Sequence, residues 1–202
     1  MVFWEVLPMS SLRRKSKRER ERGEPVPVLI VEGECERSYF NLLRSKRFPF
    51  RVRLPKPSSS MAKLRSIIDA ELLVASRVVV VYDMDVQQDK SVAANWQELR
   101  DSYEGQGVEF VLSNPCFEYW FLLHFIEEYG VMSSHQLLQK LKRYAPNYAK
   151  SSTGIRAISQ AIDGMREEAI KRADRSCSRY EEFEGGSFTQ VGGFLRKMEE
   201  KV

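Results

Sequence analysis

Residues 77–85 read RVVVVYDMD. Four valines in succession leave no polar alternation, so the run reads as a strand buried on both faces of its sheet. It ends on two aspartates one residue apart, at the end of the strand where open parallel sheets bind their ligands. A second aliphatic run, VLIV at 28–31, precedes it, and Gly105 and Gly107 frame a third, VEFVL at 108–112. A shorter strand-like piece, FRVRL at 50–54, leads into the loop PKPSSS.

Helical spacing fills the intervals. Tyr39, Phe40, Leu42 and Leu43 recur within 35–46, and Leu64, Ile67, Ile68, Leu72 and Ala75 form one stripe of 61–75. A polar helix surrounds Trp96 and Leu99. Strand then helix, four times over, predicts an α/β fold with a mostly parallel four-stranded sheet flanked by helices. Past about residue 130 the strand pattern stops; 134–143, 153–176 and 188–200 all read as helices. The chain therefore divides into a basic arm (1–24), an α/β domain (25–130) and a helical carboxyl-terminal extension (131–202).

Composition limits the function classes. The 202 residues are 43% hydrophobic and 30% charged, enough for a core and against whole-chain disorder. Lys plus Arg number 32 against 28 Asp plus Glu, and a surplus of +4 does not by itself define a nucleic-acid binder. Cys35, Cys116 and Cys177 form no CxxC pair, which reads as reduced thiols in a cytoplasmic protein. With only His124 and His135 beside them, a structural zinc site is excluded. The longest apolar run, YWFLLHFI at 119–126, is far short of the ~20 residues of a membrane span. The opening MVFWEVLPM places apolar residues before basic ones, the reverse of a secretory signal.

The charge is unevenly spread. Residues 11–22, SLRRKSKRERER, hold Arg13, Arg14, Lys15, Lys17, Arg18, Arg20 and Arg22 against two glutamates, net +5. Such an arm is either a solvated face or a segment that tracks phosphates. The acids gather elsewhere. The first strand runs into Glu32-Gly33-Glu34, with Glu36 in the following helical turn. The third runs into Asp83-Met84-Asp85, with Asp89 beyond, and strand alternation lets Asp83 and Asp85 project together while Met84 points away. These hard oxygen donors suit Mg²⁺ or Mn²⁺. Acids at a helix start are also favoured by the macrodipole alone, and DxD pairs also occur in solvated turns.

A third feature is SNPCFEYWFLLHFI, 113–126. Asn114-Pro115 is expected to start a helix that is apolar all round and therefore buried. Glu118 and His124 are its strongly polar side chains, about 240° apart around the helix. A buried Glu118 needs a cation or donor, supplied by a metal or by a neighbouring side chain. His124 reads as a satisfied core histidine.

The segments VEGECERSYF, VVVVYDMD and SNPCFEYWFLLHF resemble the RloB family, which includes abortive-infection proteins of the AbiLii type, and through it the Toprim domain of OLD-family nucleases. The resemblance implies a Toprim-like sheet in which Glu32 matches the Toprim glutamate and Asp83 and Asp85 its metal-binding aspartates. Glu36 matches the second glutamate of OLD-like nucleases, Glu118 and His124 match the RloB-type signature, and Lys150 is a candidate for the catalytic lysine. Cys35 stands where Thr is common. The implied function is a Mg²⁺-dependent (or Mn²⁺-dependent) nuclease of prokaryotic defence, working beside an AAA/ABC-type ATPase, with nucleic acid as substrate and a homo-oligomer as an assembly to test. Two rivals remain: a non-catalytic module that binds nucleic acid or a partner, and a DxD-type Mg²⁺ phosphatase. The phosphatase pattern normally places DxD after the first strand, and here it follows the third.

Overall fold

A computed structural model describes residues 26–45, 48–56, 60–84, 90–179 and 186–200. The buried aliphatic runs form the centre of a sheet, as their lack of alternation requires. Strand β1 (Val28–Val31) is wholly buried and lies between β2 (Arg51–Arg53) and β3 (Val78–Asp83), parallel to both. Strand β4 (Val108–Asn114) runs parallel to β3, with Val78 opposite Val108 and Asp83 opposite Ser113.

A fifth strand closes the row. β5 (Phe188–Thr189) pairs antiparallel with the end of β4, giving the order β2-β1-β3-β4-β5. The sheet is thus five-stranded rather than four-stranded, and 188–200 is not one helix. Two residues carry no period, and Phe188 and Thr189 are held by pairing with Ser113 and Asn114 rather than by a local pattern.

Eight helices are present among the described residues: α1 (Glu34–Leu43), α2 (Met61–Leu72), α3 (Lys90–Ser102), α4 (Glu118–Phe125), α5 (Ser134–Tyr144), α6 (Ser152–Ala161), α7 (Arg166–Arg179) and α8 (Val191–Glu199). They cover both faces of the sheet. Val28, Ile30, Val78 and Val80 pack with Leu64, Ile68, Trp96 and Leu99 of α2 and α3. Leu29, Val31, Val79, Val81 and Val111 pack on the other face against α1 and the helices from α4 onward. The expected helix over 153–176 is two helices, because Gly164 at φ 77° takes a left-handed conformation that ends the first.

Helix α4 is the axis of that second layer. Every residue from Phe117 to Leu123 is 0–1% exposed, as an all-apolar helix requires. It begins three residues later than expected. Asn114 stays in β4, opposite Phe188, so the proline precedes the helix instead of opening it; the Asn114-Pro115 peptide is cis. No described helix is long and apolar enough to cross a membrane. Cys35, Cys116 and Cys177 are free thiols, the first two buried.

Candidate metal and phosphodiester site

The order β2-β1-β3-β4 reverses direction between β1 and β3, and at such a switch point the loops leaving adjacent strands diverge to open a crevice. Glu32 leaves β1 and Asp83 ends β3 at this place. Their contact is direct: the Asp83 N–H donates to Glu32 Oε2 at 3.0 Å. Glu32 is exposed and Asp83 half-buried, whereas Met84 turns into the α2/α3 face of the core. Asp85, Asp89 and the basic residues Arg13, Arg14, Lys15, Lys17, Arg18, Arg20 and Arg22 lie outside the described residues.

Glu36 is buried in the first turn of α1, and its Oε2 has no hydrogen-bond partner. Gly33 makes this position available. Its backbone is extended (φ −134°), so conformation does not demand glycine; space does, since a Cβ there would lie 2.9 Å from Glu36 Oε2. Burial, with Glu118 and Glu32 nearby, pushes the Glu36 carboxyl up to about 7. Burial likewise raises Asp83 well above the usual carboxylate range, reinforced by Glu36, Glu32 and Glu118 and opposed by Lys150. The acids thus act on one another as a single cluster.

Glu118, 1% exposed at the start of α4, has the opposite balance. Burial pushes it up, but Lys150, Tyr148 and Cys116 outweigh burial and hold it below the usual range. Lys150 Nζ and the Tyr148 hydroxyl both lie 2.7 Å from Oε1, while Oε2 has no hydrogen-bond partner. The Tyr148 oxygen also lies 3.5 Å from Cys35 Sγ, whose thiol is raised by burial and by Glu118. This arm of the site depends on the loop before α6. Ser151 caps α6 by accepting from the Gly154 N–H, and a Cβ on Gly154 would come within 2.6 Å of the Ala149 nitrogen, closer still to its carbonyl oxygen.

Glu32, Asp83, Glu36, Glu118 and Lys150 are therefore brought to one edge of the sheet. His124 belongs elsewhere: its Nδ1 bonds the Trp120 carbonyl at 2.9 Å, and burial lowers its pKa to about 4, so the ring is neutral. Tyr148, which the sequence pairs with Lys150 as a weaker echo of the family pattern, reaches the site with it, and Gly154 is the residue that sequence reasoning missed, since its close approach to Ala149 carries no local signal. Among the described residues, no three His, Cys, Asp or Glu side chains come close enough to chelate one ion.

A doubly wound sheet with acids at its switch point defines the class: an α/β protein with an anionic strand-end site. The RloB-like protein family model matches residues 28–198, and the chain belongs to that family. No curated protein and no solved structure matches it.

Proposed function

We propose that this protein is a divalent-metal-dependent nuclease with a Toprim-like site, hydrolysing phosphodiester bonds of DNA or RNA in a prokaryotic anti-phage or restriction-linked system beside an AAA/ABC-type ATPase. The observation that carries the reading is the carboxylate cluster, in which Glu36 Oε2 and Glu118 Oε2 are buried without a hydrogen-bond partner. Buried carboxyl oxygens without a donor, in acids that raise one another's proton affinity, fit a hard cation that would take the proton's place. Glu32, Asp83, Asp85 and Glu36 would hold Mg²⁺ or Mn²⁺, which when bound polarises phosphoryl oxygens and acidifies water.

The chain's own groups supply the rest. Lys150, half-exposed and anchored on Glu118, presents an ammonium to an anionic substrate. Glu36 and Glu118 would serve as second-metal ligands or as the base that accepts the proton of an attacking water. Arg13 to Arg22 would grip the substrate backbone.

The test is incubation with single- and double-stranded DNA and RNA in Mg²⁺ or Mn²⁺, repeated in EDTA. Cleavage is expected only with metal, and Asp83→Asn should abolish it with an unchanged circular dichroism spectrum. Metal-dependent cleavage that survives Asp83→Asn sinks the assignment. The second reading, a module that binds nucleic acid or the ATPase without cutting, is favoured by the lack of a three-ligand chelating group among the described residues. It predicts retention of nucleic acid with no product under every metal condition.

A further inference from the structure

Helices α1, α4 and α6 all begin at the carboxylate cluster, and they end together around a hollow of about 390 Å³ beside the turn at Gly164. Several polar atoms of this hollow lack partners. His124, 5% exposed, lines it from the last turn of α4. The Trp120 carbonyl can only accept, so the ring proton sits on Nδ1 and Nε2 is left as an acceptor that no described residue fills. Burial opposes a second proton on that ring, and so does Arg166, a cation held by Glu199 at 3.3 Å and lying over the Phe48 ring. Tyr39, 4% exposed, accepts from the Trp120 indole at 2.9 Å, and no described residue accepts its own proton. Ser159 Oγ is buried with no hydrogen-bond partner among the described residues.

One acceptor and two hydroxyls thus line a single hollow, beside the apolar side chains of Leu42, Leu43 and Ile162. A hydrocarbon would leave both hydroxyls stranded. A bare anion would meet Nε2, the exposed acids Asp163 and Glu167, and the negative ends of three helix dipoles against the start of one. What fits is a neutral edge with an N–H next to an acceptor, flanked by apolar faces, which is the pattern of a nucleobase.

A second hollow, of about 380 Å³, adjoins the first and shares Leu42, Ser159 and Asp163 with it. Asp163 borders both, and its carboxylate, unpaired among the described residues, can accept from sugar hydroxyls. Arg156 lines the outer hollow, exposed and without an ion pair among the described residues, and offers a guanidinium fork to a phosphate. We propose that the two hollows together form a nucleotide-binding site, with the base edge on His124, Ser159 and Tyr39, the sugar on Asp163 and the phosphate on Arg156. No carboxylate of the candidate metal site lines either hollow, and His124 lies six residues, about 9 Å, along α4 from Glu118.

Titration calorimetry of the full chain in EDTA, which silences the metal site, tests this with the adenosine, guanosine, cytidine and uridine monophosphates, their nucleosides and a short single strand of mixed sequence. At least one monophosphate should bind with a Kd of about 1 mM or tighter. Its nucleoside should bind at least about tenfold more weakly, and Arg156→Gln, a surface change, should erase that difference. In a chain labelled with ¹⁵N-histidine, the Nε2 resonance of His124, told from that of His135 by His135→Gln, should move upfield as the ring accepts a hydrogen bond. Ser159→Leu should fill the inner hollow and abolish binding. A strand that binds as well as the monophosphate identifies the occupant as a nucleotide of a nucleic acid, and a strand that does not identifies a free nucleotide. The proposal is overturned if no monophosphate binds at this level, if inorganic phosphate binds equally well, or if binding leaves the His124 resonance in place.

Discussion

Glu36 has a predictable influence on stability. Its folded pKa of about 7 stands above the 4.5 of an exposed glutamate, so folding favours its protonated form. The contribution is complete below the unfolded pKa and is lost as pH rises through the folded one. At about 1.4 kcal/mol per unit this amounts to roughly 3 kcal/mol across the window from 4.5 to 7. In EDTA, Glu36→Gln should therefore gain on the native chain in Tm between pH 5 and pH 8; an unchanging difference would remove Glu36 as the cause. His124 works the other way, being neutral when folded, so its share is present above 6.5 and lost as pH falls toward 4. Gly33→Ala should cost little in Tm yet displace the Glu36 carboxylate, weakening any Mg²⁺-induced rise in Tm. Single residues were unevenly legible. Glu32, Glu36 and Asp83 follow from their places at strand ends. The ion pair of Glu118 with Lys150 does not, because it joins separate helical elements through a loop whose course no local pattern dictates.

At the scale of elements, the loop 145–151 is the piece that completes the site. It is pinned by the Ser151 cap and by contact of Gly154 with Ala149, between the two residues that reach Glu118. Gly154→Ala must push on backbone rather than on a flexible tip, and should destabilise by about 1–3 kcal/mol. If the proposed nuclease activity exists, that variant should lose more of it than the stability change explains, measured by cleavage at a temperature where both chains are folded. β1, β3 and α4 could be read from their unbroken apolar runs, since burial on all sides removes periodicity, and β2 and β4 from shorter strand-like stretches. The break between α6 and α7 carried an Asp-Gly signal that the apolar spacing on either side masked. β5 carried none.

For the whole molecule, the small net charge of +4 conceals a separation between a basic arm and acids at the sheet's switch point. Binding of nucleic acid, measured as log K against log salt, should have a slope that flattens when residues 13–22 are deleted. The change would reach about 6 if all seven basic side chains meet phosphates; an unchanged slope would show that the arm takes no part. The fold itself depends on α4. Trp120→Ala should cost about 3–5 kcal/mol, read from denaturant unfolding, since its ring is fully buried and its indole N–H donates to the Tyr39 hydroxyl at 2.9 Å.

The two-residue strand β5 also bears on how the chain is made. Ser113 and Asn114 are buried, and their side chains bond Thr189 and the Gly186 carbonyl, residues synthesised more than seventy positions later. Gly192, beside Trp120 and Ala173, likewise brings the last helix over the central one. Until this segment leaves the ribosome, a nascent chain holds an unfinished sheet edge that lacks the Thr189 and Gly186 contacts of Ser113 and Asn114, and a Trp120 not yet covered by Gly192. Incomplete products should therefore present an adhesive apolar surface that chaperones and proteases can distinguish from the finished protein.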